Sequence, residues 1–246
     1  MDEPIPDLDA EQLRALNSAT QYPSILTYHA LGDRGRLAEV RNTDLAGAGR
    51  LEITEKIDGT NARIVLAPPG LGAPLIGSRT ELLHYLDDVI ANPAQGIVAA
   101  VRAHALALAE ALAEPDRLVV VFGEVYGGRT ASGAKNYSAA GAVGFRVFDI
   151  ARVPLEIVGR GTAAAALWRN EGGQQFADVA ELHATADRHG LARVPVLSVD
   201  RPPPTSVADT HAWLQAVITE THARLDDTGR GRPEGVVVRI GGRLHA

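Results

Sequence analysis

The chain has 246 residues, 46% of them apolar and 22% charged, with a formal net charge of -6 at pH 7 and no cysteine. That length can bury a sizeable core, and the balance excludes a mainly disordered protein. Without cysteine there is no disulfide, thiolate metal site or thiol nucleophile, and the acidic charge excludes coating nucleic acid by bulk charge while leaving room for one basic groove.

The opening MDEPIPDLDAEQ lacks the basic-then-apolar order of a signal peptide, and no apolar run approaches the roughly 18 residues of a membrane span, so a cytosolic protein is expected. Tyr22 to His29 reads as an extended segment that either walls a pocket or packs. Alternation over Leu51 to Lys56 predicts a half-buried strand, closed by an Asp58-Gly59 turn and followed by a second strand over Ala62 to Ala67. Ile97, Val101, Ala105, Leu108 and Leu112 recur at helical spacing and predict an amphipathic helix over 93–114.

Leu118 to Val125, Val143 to Ile150 and Glu234 to Ile240 read as buried strands, each with a carboxylate at or near one end. In the first, Val120, Phe122 and Glu124 should share a face; in the second, Arg146, Phe148 and Ile150 should. Helices are expected near 175–189 and 206–225, around a short strand over Val194 to Val199. Strands and helices without strict alternation predict an α+β architecture, with residues 1–246 forming one domain.

Lys56 is one of two lysines in a chain with 22 arginines. An ammonium can lose its proton and become a nucleophile, which a guanidinium cannot. Desolvation and a nearby cation would both help it do so, and Asp58, Glu124 and Glu234 are the carboxylates that could hold such a metal. Gly59 would let backbone approach a phosphate closely. The glycine-rich stretch Gly127 to Lys135 misses the spacing of a phosphate loop, so it is expected to be a mobile surface loop in which Lys135 and Tyr137 could touch phosphate and base. None of the eight histidines falls at a tight metal-ligand spacing.

Five stretches in order, Glu55-Lys56-Ile57-Asp58-Gly59-Thr60-Asn61, Gly77-Ser78-Arg79, Phe122-Gly123-Glu124-Val125-Tyr126-Gly127, Phe145-Arg146-Val147-Phe148-Asp149 and Glu234-Gly235-Val236-Val237-Val238-Arg239, give the chain its resemblance to the covalent nucleotidyltransferases. It looks most like the nick-sealing type of ATP-dependent RNA ligase. The resemblance implies a nucleotidyltransferase domain with two mainly antiparallel sheets flanked by helices, its motif-bearing part at 51–240 and no separate C-terminal domain.

It also implies that Lys56 attacks ATP to form a lysyl-AMP, that AMP passes to a 5′-phosphate, and that a 3′-hydroxyl then seals the strand. Glu124 and Glu234 would act with Lys56 and, together with Asp58, hold Mg2+ or Mn2+. Glu55, Asp58, Gly59, Asn61, Arg79, Phe148 and Val236 would contact the nucleotide, with Phe148 stacking on adenine. The polynucleotide is expected to be RNA before DNA. The last basic motif of such ligases has no lysine counterpart here, leaving Arg239 and Arg243 to supply charge near the phosphates. A DNA ligase, a capping-type guanylyltransferase and a non-catalytic nucleotide- or RNA-binding module are the alternatives. Taken singly, each residue also has a plain structural reading as a strand-end charge, a core aromatic or a solvated carboxylate.

Overall fold

The computed structural model describes residues 8–45, 51–69, 72–85, 88–89, 96–199 and 201–240. A capping box opens helix α1 (Ala10–Ala19): the Asp9 side chain accepts from the Glu11 and Gln12 amides, and the Gln12 side chain accepts from the Asp9 amide. A hairpin of β1 (His29–Leu31) and β2 (Leu37–Arg41) follows, then β3 (Leu51–Lys56), β4 (Thr60–Leu66), β5 (Leu75–Ser78), β6 (Leu82–Tyr85) and β7 (Asp88–Val89). Helix α2 (Ile97–Leu108) leads to the long antiparallel pair β8 (Arg117–Gly127) and β9 (Val143–Pro154). Then come α3 (Leu155–Val158), α4 (Thr162–Asn170), β10 (Gln175–Phe176), α5 (Val179–Arg188), α6 (Val207–Val217) and β11 (Gly235–Ile240).

Seven strands form one sheet in the order β10-β9-β8-β4-β5-β6-β7, every pairing antiparallel. Its two faces bury different side chains, as the period of two requires. Ala62, Ile64, Val119 and Val121 meet Val101 and Ala105 of α2 and Leu182 and Ala186 of α5. On the opposite face Val65, Val120 and Phe122 meet Leu16 of α1, Ile157 of α3 and Ala165 of α4. Burying each Val, Ile, Leu or Phe contributes about 1.5–3 kcal/mol, so these two layers carry most of the fold. A second, two-stranded antiparallel sheet pairs β11 with β3, with Gly235 opposite Lys56 and Arg239 opposite Glu52. The chain is thus α+β with antiparallel sheets flanked by helices.

Asp58-Gly59 is not a hairpin turn. β3 and β4 belong to different sheets, and residues 57–59 cross between them. The apolar residue in that crossing decides the path: Ile57 is buried with Tyr126, Tyr137 and Ala223, which an exposed hairpin loop would not allow. Phe148 and Ile150 do not share a face either. The β8–β9 register slips where Phe122 pairs with Asp149 and Gly123 with Val147, leaving Phe148 as the extra residue of a bulge. Ile150 therefore joins the core under α2, while Phe148 packs against the opposite one.

The helix expected from 93 is described from Ile97 and ends at Leu108, with 93–95 outside the described residues. At 175–189, Gln175–Phe176 pair with β9 and the helix begins after the Asp178 cap. At 206–225 the helix ends at Val217. Residues 193–199 make isolated bridges through Arg193 and Val196 in place of the strand expected over Val194 to Val199, and α3 and α4 are helices that no apolar periodicity marks.

Candidate active site

A cavity of about 460 Å3 opens between the two sheets, lined on one side by β3 and β11 and on the other by β4, β8 and β9. That is the size of a small-molecule site. Lys56 ends β3 and faces into it. The pairing of β11 with β3 brings Glu234 alongside, its amide donating to the Lys56 carbonyl at 3.1 Å, and the Lys56 ammonium forms an ion pair with the Glu234 carboxylate. Both side chains are about half exposed, 47% and 49%. Because β3 stops at Lys56, the ammonium stands at an open cavity wall and not in a desolvated interior.

Glu124 approaches from β8. Burial pushes its carboxyl up to about 8, against the pull of the Lys56 ammonium, and the Glu234 and Asp58 charges add to the rise. At neutral pH it is mainly protonated. Its cross-strand partner Asn61 also lines the cavity, with a buried Oδ1 that has no hydrogen-bond partner among the described residues. Gly59 lies so close to β8 that a Cβ would meet Glu124 Cγ at 2.8 Å and Tyr126 Cβ at 2.9 Å, as well as the Val125 carbonyl. Arg79 completes this charged end, its Nη2 donating to Ser24 Oγ at 3.4 Å.

Three candidates are placed elsewhere. Asp58 turns its carboxylate away from the cavity to accept from the Gly133 amide at 2.9 Å. Glu55 borders the cavity, but as Lys56's neighbour on an alternating strand its carboxylate points to the opposite face. There it is buried, accepting from the Thr221 hydroxyl and from the His222 amide at 2.7 Å. Val236 packs behind β11 with Ile53 and Trp213, and it is Val237 that lines the cavity. With Asp58 turned away, no group of three acidic or histidine side chains able to hold a metal assembles among the described residues. What remains is a set of hard oxygens, the Glu124 and Glu234 carboxylates and the Asn61 amide, of the kind Mg2+ and Mn2+ prefer.

Phe148 lines the other end, where the bulge aims it, with Tyr22 set edge-on at 5.0 Å between centroids. Beneath it lies a buried ion pair: Arg239 Nη2 reaches Asp149 Oδ2 at 3.1 Å and donates to the Phe148 carbonyl at 2.8 Å, while the Tyr22 hydroxyl donates to Asp149 at 3.0 Å. Burial still outweighs these partners and pushes Asp149 up to about 6. Arg239, expected as a cation for phosphates, is therefore engaged in tying β11 to β9. Arg243 lies outside the described residues.

The Gly127 to Lys135 stretch is pinned rather than loose. Besides the Gly133 bond to Asp58, Asn136 donates to the Arg232 carbonyl at 3.0 Å. Tyr137 is fully buried and accepts from the Asp58 amide at 2.7 Å, which removes it as a contact for a base. Lys135 is exposed.

Tyr22, Pro23 and Ile25 of the early extended segment do wall the cavity. Unanticipated are Glu52 and His183, paired at 3.0 Å within it. Strand alternation could have flagged Glu52, which shares a face with Thr54 and Lys56. His183 carries no local signal.

A family model described as RNA ligase matches residues 49–243. A structure of Naegleria gruberi RNA ligase with ATP and Mn, carrying a lysine-to-alanine substitution, superposes with a TM-score of 0.51 at 14% identity, over 89% of this chain and 58% of that one. A lysine-to-methionine mutant of the same ligase with AMP and Mn gives the same values, and a glutamate-to-alanine mutant with AMP and Mn gives 0.50 at 15% identity with equal coverage. The chain spans 58% of the length of these structures, and the likeness is one of fold. None of the curated proteins matches the sequence.

Proposed function

This chain belongs to the RNA ligase family, and from that membership we propose that it is an ATP-dependent RNA ligase joining 5′-phosphate and 3′-hydroxyl ends through a covalent lysyl-AMP on Lys56. The observation that carries it is the convergence of Lys56, Glu124 and Glu234 on one nucleotide-sized cavity. The Naegleria ligase structures with ATP and Mn support ATP as the nucleotide and a divalent cation as the cofactor.

Glu234 orients the Lys56 ammonium, which gives its proton to solvent. Lys56 Nζ then attacks the α-phosphorus of ATP; an N–P bond forms, the P–O bond to pyrophosphate breaks, and pyrophosphate leaves with the electron pair. In the second step a terminal 5′-phosphate oxygen takes AMP, the N–P bond breaks and Nζ takes a proton from solvent. In the third, a 3′-hydroxyl loses its proton to solvent and attacks that phosphate, and the P–O bond to AMP breaks as AMP leaves.

Glu124, Glu234 and Asn61 would hold the divalent cation, which when bound offsets phosphate charge and draws the proton off Glu124. Arg79 would bind phosphate or ribose and Phe148 would pack on the base, and both line the cavity. Positioning and charge neutralisation of this kind suffice for phosphoryl-type transfer. A role in mending RNA in the cytosol is part of the same proposal. Among the described residues no helix is long and apolar enough to cross a membrane.

Incubation with α-labelled ATP followed by a denaturing gel tests the proposal. Label should stay on the wild-type chain, vanish in Lys56→Ala and chase onto 5′-phosphorylated RNA. Label from GTP alone, or none that survives denaturation, would overturn it.

A further inference from the structure

At the end of the cavity away from the charged cluster, Glu52 and His183 form a pair to which the reaction above gives no role. Glu52 Oε2 lies 3.0 Å from His183 Nε2, with side chains 12% and 28% exposed. Glu52, Thr54 and Lys56 alternate onto one face of β3, and the four residue steps from Glu52 to Lys56 span about 13 Å, roughly the length of a nucleoside monophosphate. Arg239, opposite Glu52 in the ladder, bonds the carbonyl of Phe148, so the pair stands close to the aromatic wall. Val147, Leu182 and Val194 add apolar surface, and the two arginines at this end are engaged elsewhere, Arg193 with Asp187 and Arg239 with Asp149. Phosphates belong with Lys56 and Arg79, and a base belongs here.

We propose that Glu52, held in place by His183, reads the polar edge of the bound purine and selects a 6-amino ring over a 6-oxo ring, an assignment that rests on the nucleotidyl-transfer reading above. His183 Nε2–H donates to one carboxylate oxygen, in either protonation state of the ring. The other oxygen is left to accept from one exocyclic amine. A 6-oxo group would set lone pairs against lone pairs. Glu52 would touch the nucleotide, whereas His183 is a positioning residue.

Equilibrium binding of ATP, GTP and purine riboside triphosphate, which lacks the 6-amino group, tests the assignment on the full chain with Mn2+. Wild type should prefer ATP to the deaminated analogue by about 10- to 100-fold, the value of a hydrogen bond to a charged group. Glu52→Gln should bring that ratio near unity and admit GTP, because an amide both donates and accepts. His183→Gln, which keeps a donor, should retain more of the preference than His183→Ala. A merely structural role would weaken all three nucleotides equally. An unchanged ratio in Glu52→Gln, or a wild type indifferent to the 6-amino group, overturns the assignment. If ATP binds selectively but no label remains on Lys56, the transfer reading fails while base selection stands.

Discussion

Arg239 of the small sheet closes a buried ion pair on Asp149 of the large one, at 3.1 Å, and in doing so grips the carbonyl of the bulged Phe148. One guanidinium thereby fixes the angle between two sheets and the placement of an aromatic wall. Removing one partner leaves the other charge buried and alone. Arg239→Ala should cost about 3–5 kcal/mol in urea denaturation, whereas Arg239→Met with Asp149→Leu should recover much of that stability. Equal losses in both proteins would show that packing, not charge, matters at this point.

Asp149 and Glu124 both hold protons more tightly when folded, at about 6 and about 8 against ordinary values of 3.8 and 4.5. The stability they contribute is fully present below those ordinary values and is lost as pH rises through 6 and 8. Without nucleotide, the protein should therefore weaken between pH 5 and 9. Glu124→Gln, fixed in the neutral form, should remove part of that slope and be more stable than wild type at pH 9, by about 2 kcal/mol. Thermal melts across pH check it, and a slope unchanged by the substitution would refute it.

The same proton reports on a cation. At pH 7 the binding of Mn2+ should release about one proton from wild type and markedly less from Glu124→Gln. Calorimetry in buffers of different ionisation enthalpy measures this directly. Affinity should also rise with pH up to about 8, the value to which Glu124 is pushed.

Lys56 and Glu234 are half exposed, so their ion pair adds little to folding. Lys56→Met should change stability by less than about 1 kcal/mol while abolishing label transfer from ATP. A large stability loss would mean that the lysine is structural.

Gly59 has no room for a side chain against β8. Gly59→Ala should push the crossing away from Glu124, at a cost of about 1–3 kcal/mol, and weaken nucleotide binding beyond what that cost explains. Parallel denaturation and nucleotide titration separate the two effects.

Strands β3, β4, β8, β9 and β11 were legible because alternating or continuous apolar runs mark them, and with them came Lys56, Glu124 and Glu234. The misplacements have local causes. Asp58-Gly59 has the composition of a hairpin turn, and only the burial of Ile57 between two tyrosines shows that the chain changes sheets there. Glu55 stands beside Lys56 in sequence, yet on a strand the neighbour faces away, so the carboxylates on the lysine's side are Glu52 and, across the ladder, Glu234. Val236 and Val237 differ by the same single step. The Phe148 bulge is a register event between two strands, invisible in either alone. His183 reaches the cavity from α5, brought there by tertiary packing.

Three residues carry the backbone from the sheet that bears the amine to the sheet that bears Glu124. The gap between nucleophile and acid is therefore a property of the angle at which two rigid layers lean together, and neither side chain sets it alone. Loosening the brace on that crossing, the amide of Gly133 on Asp58, can change reactivity without altering any group that touches the nucleotide.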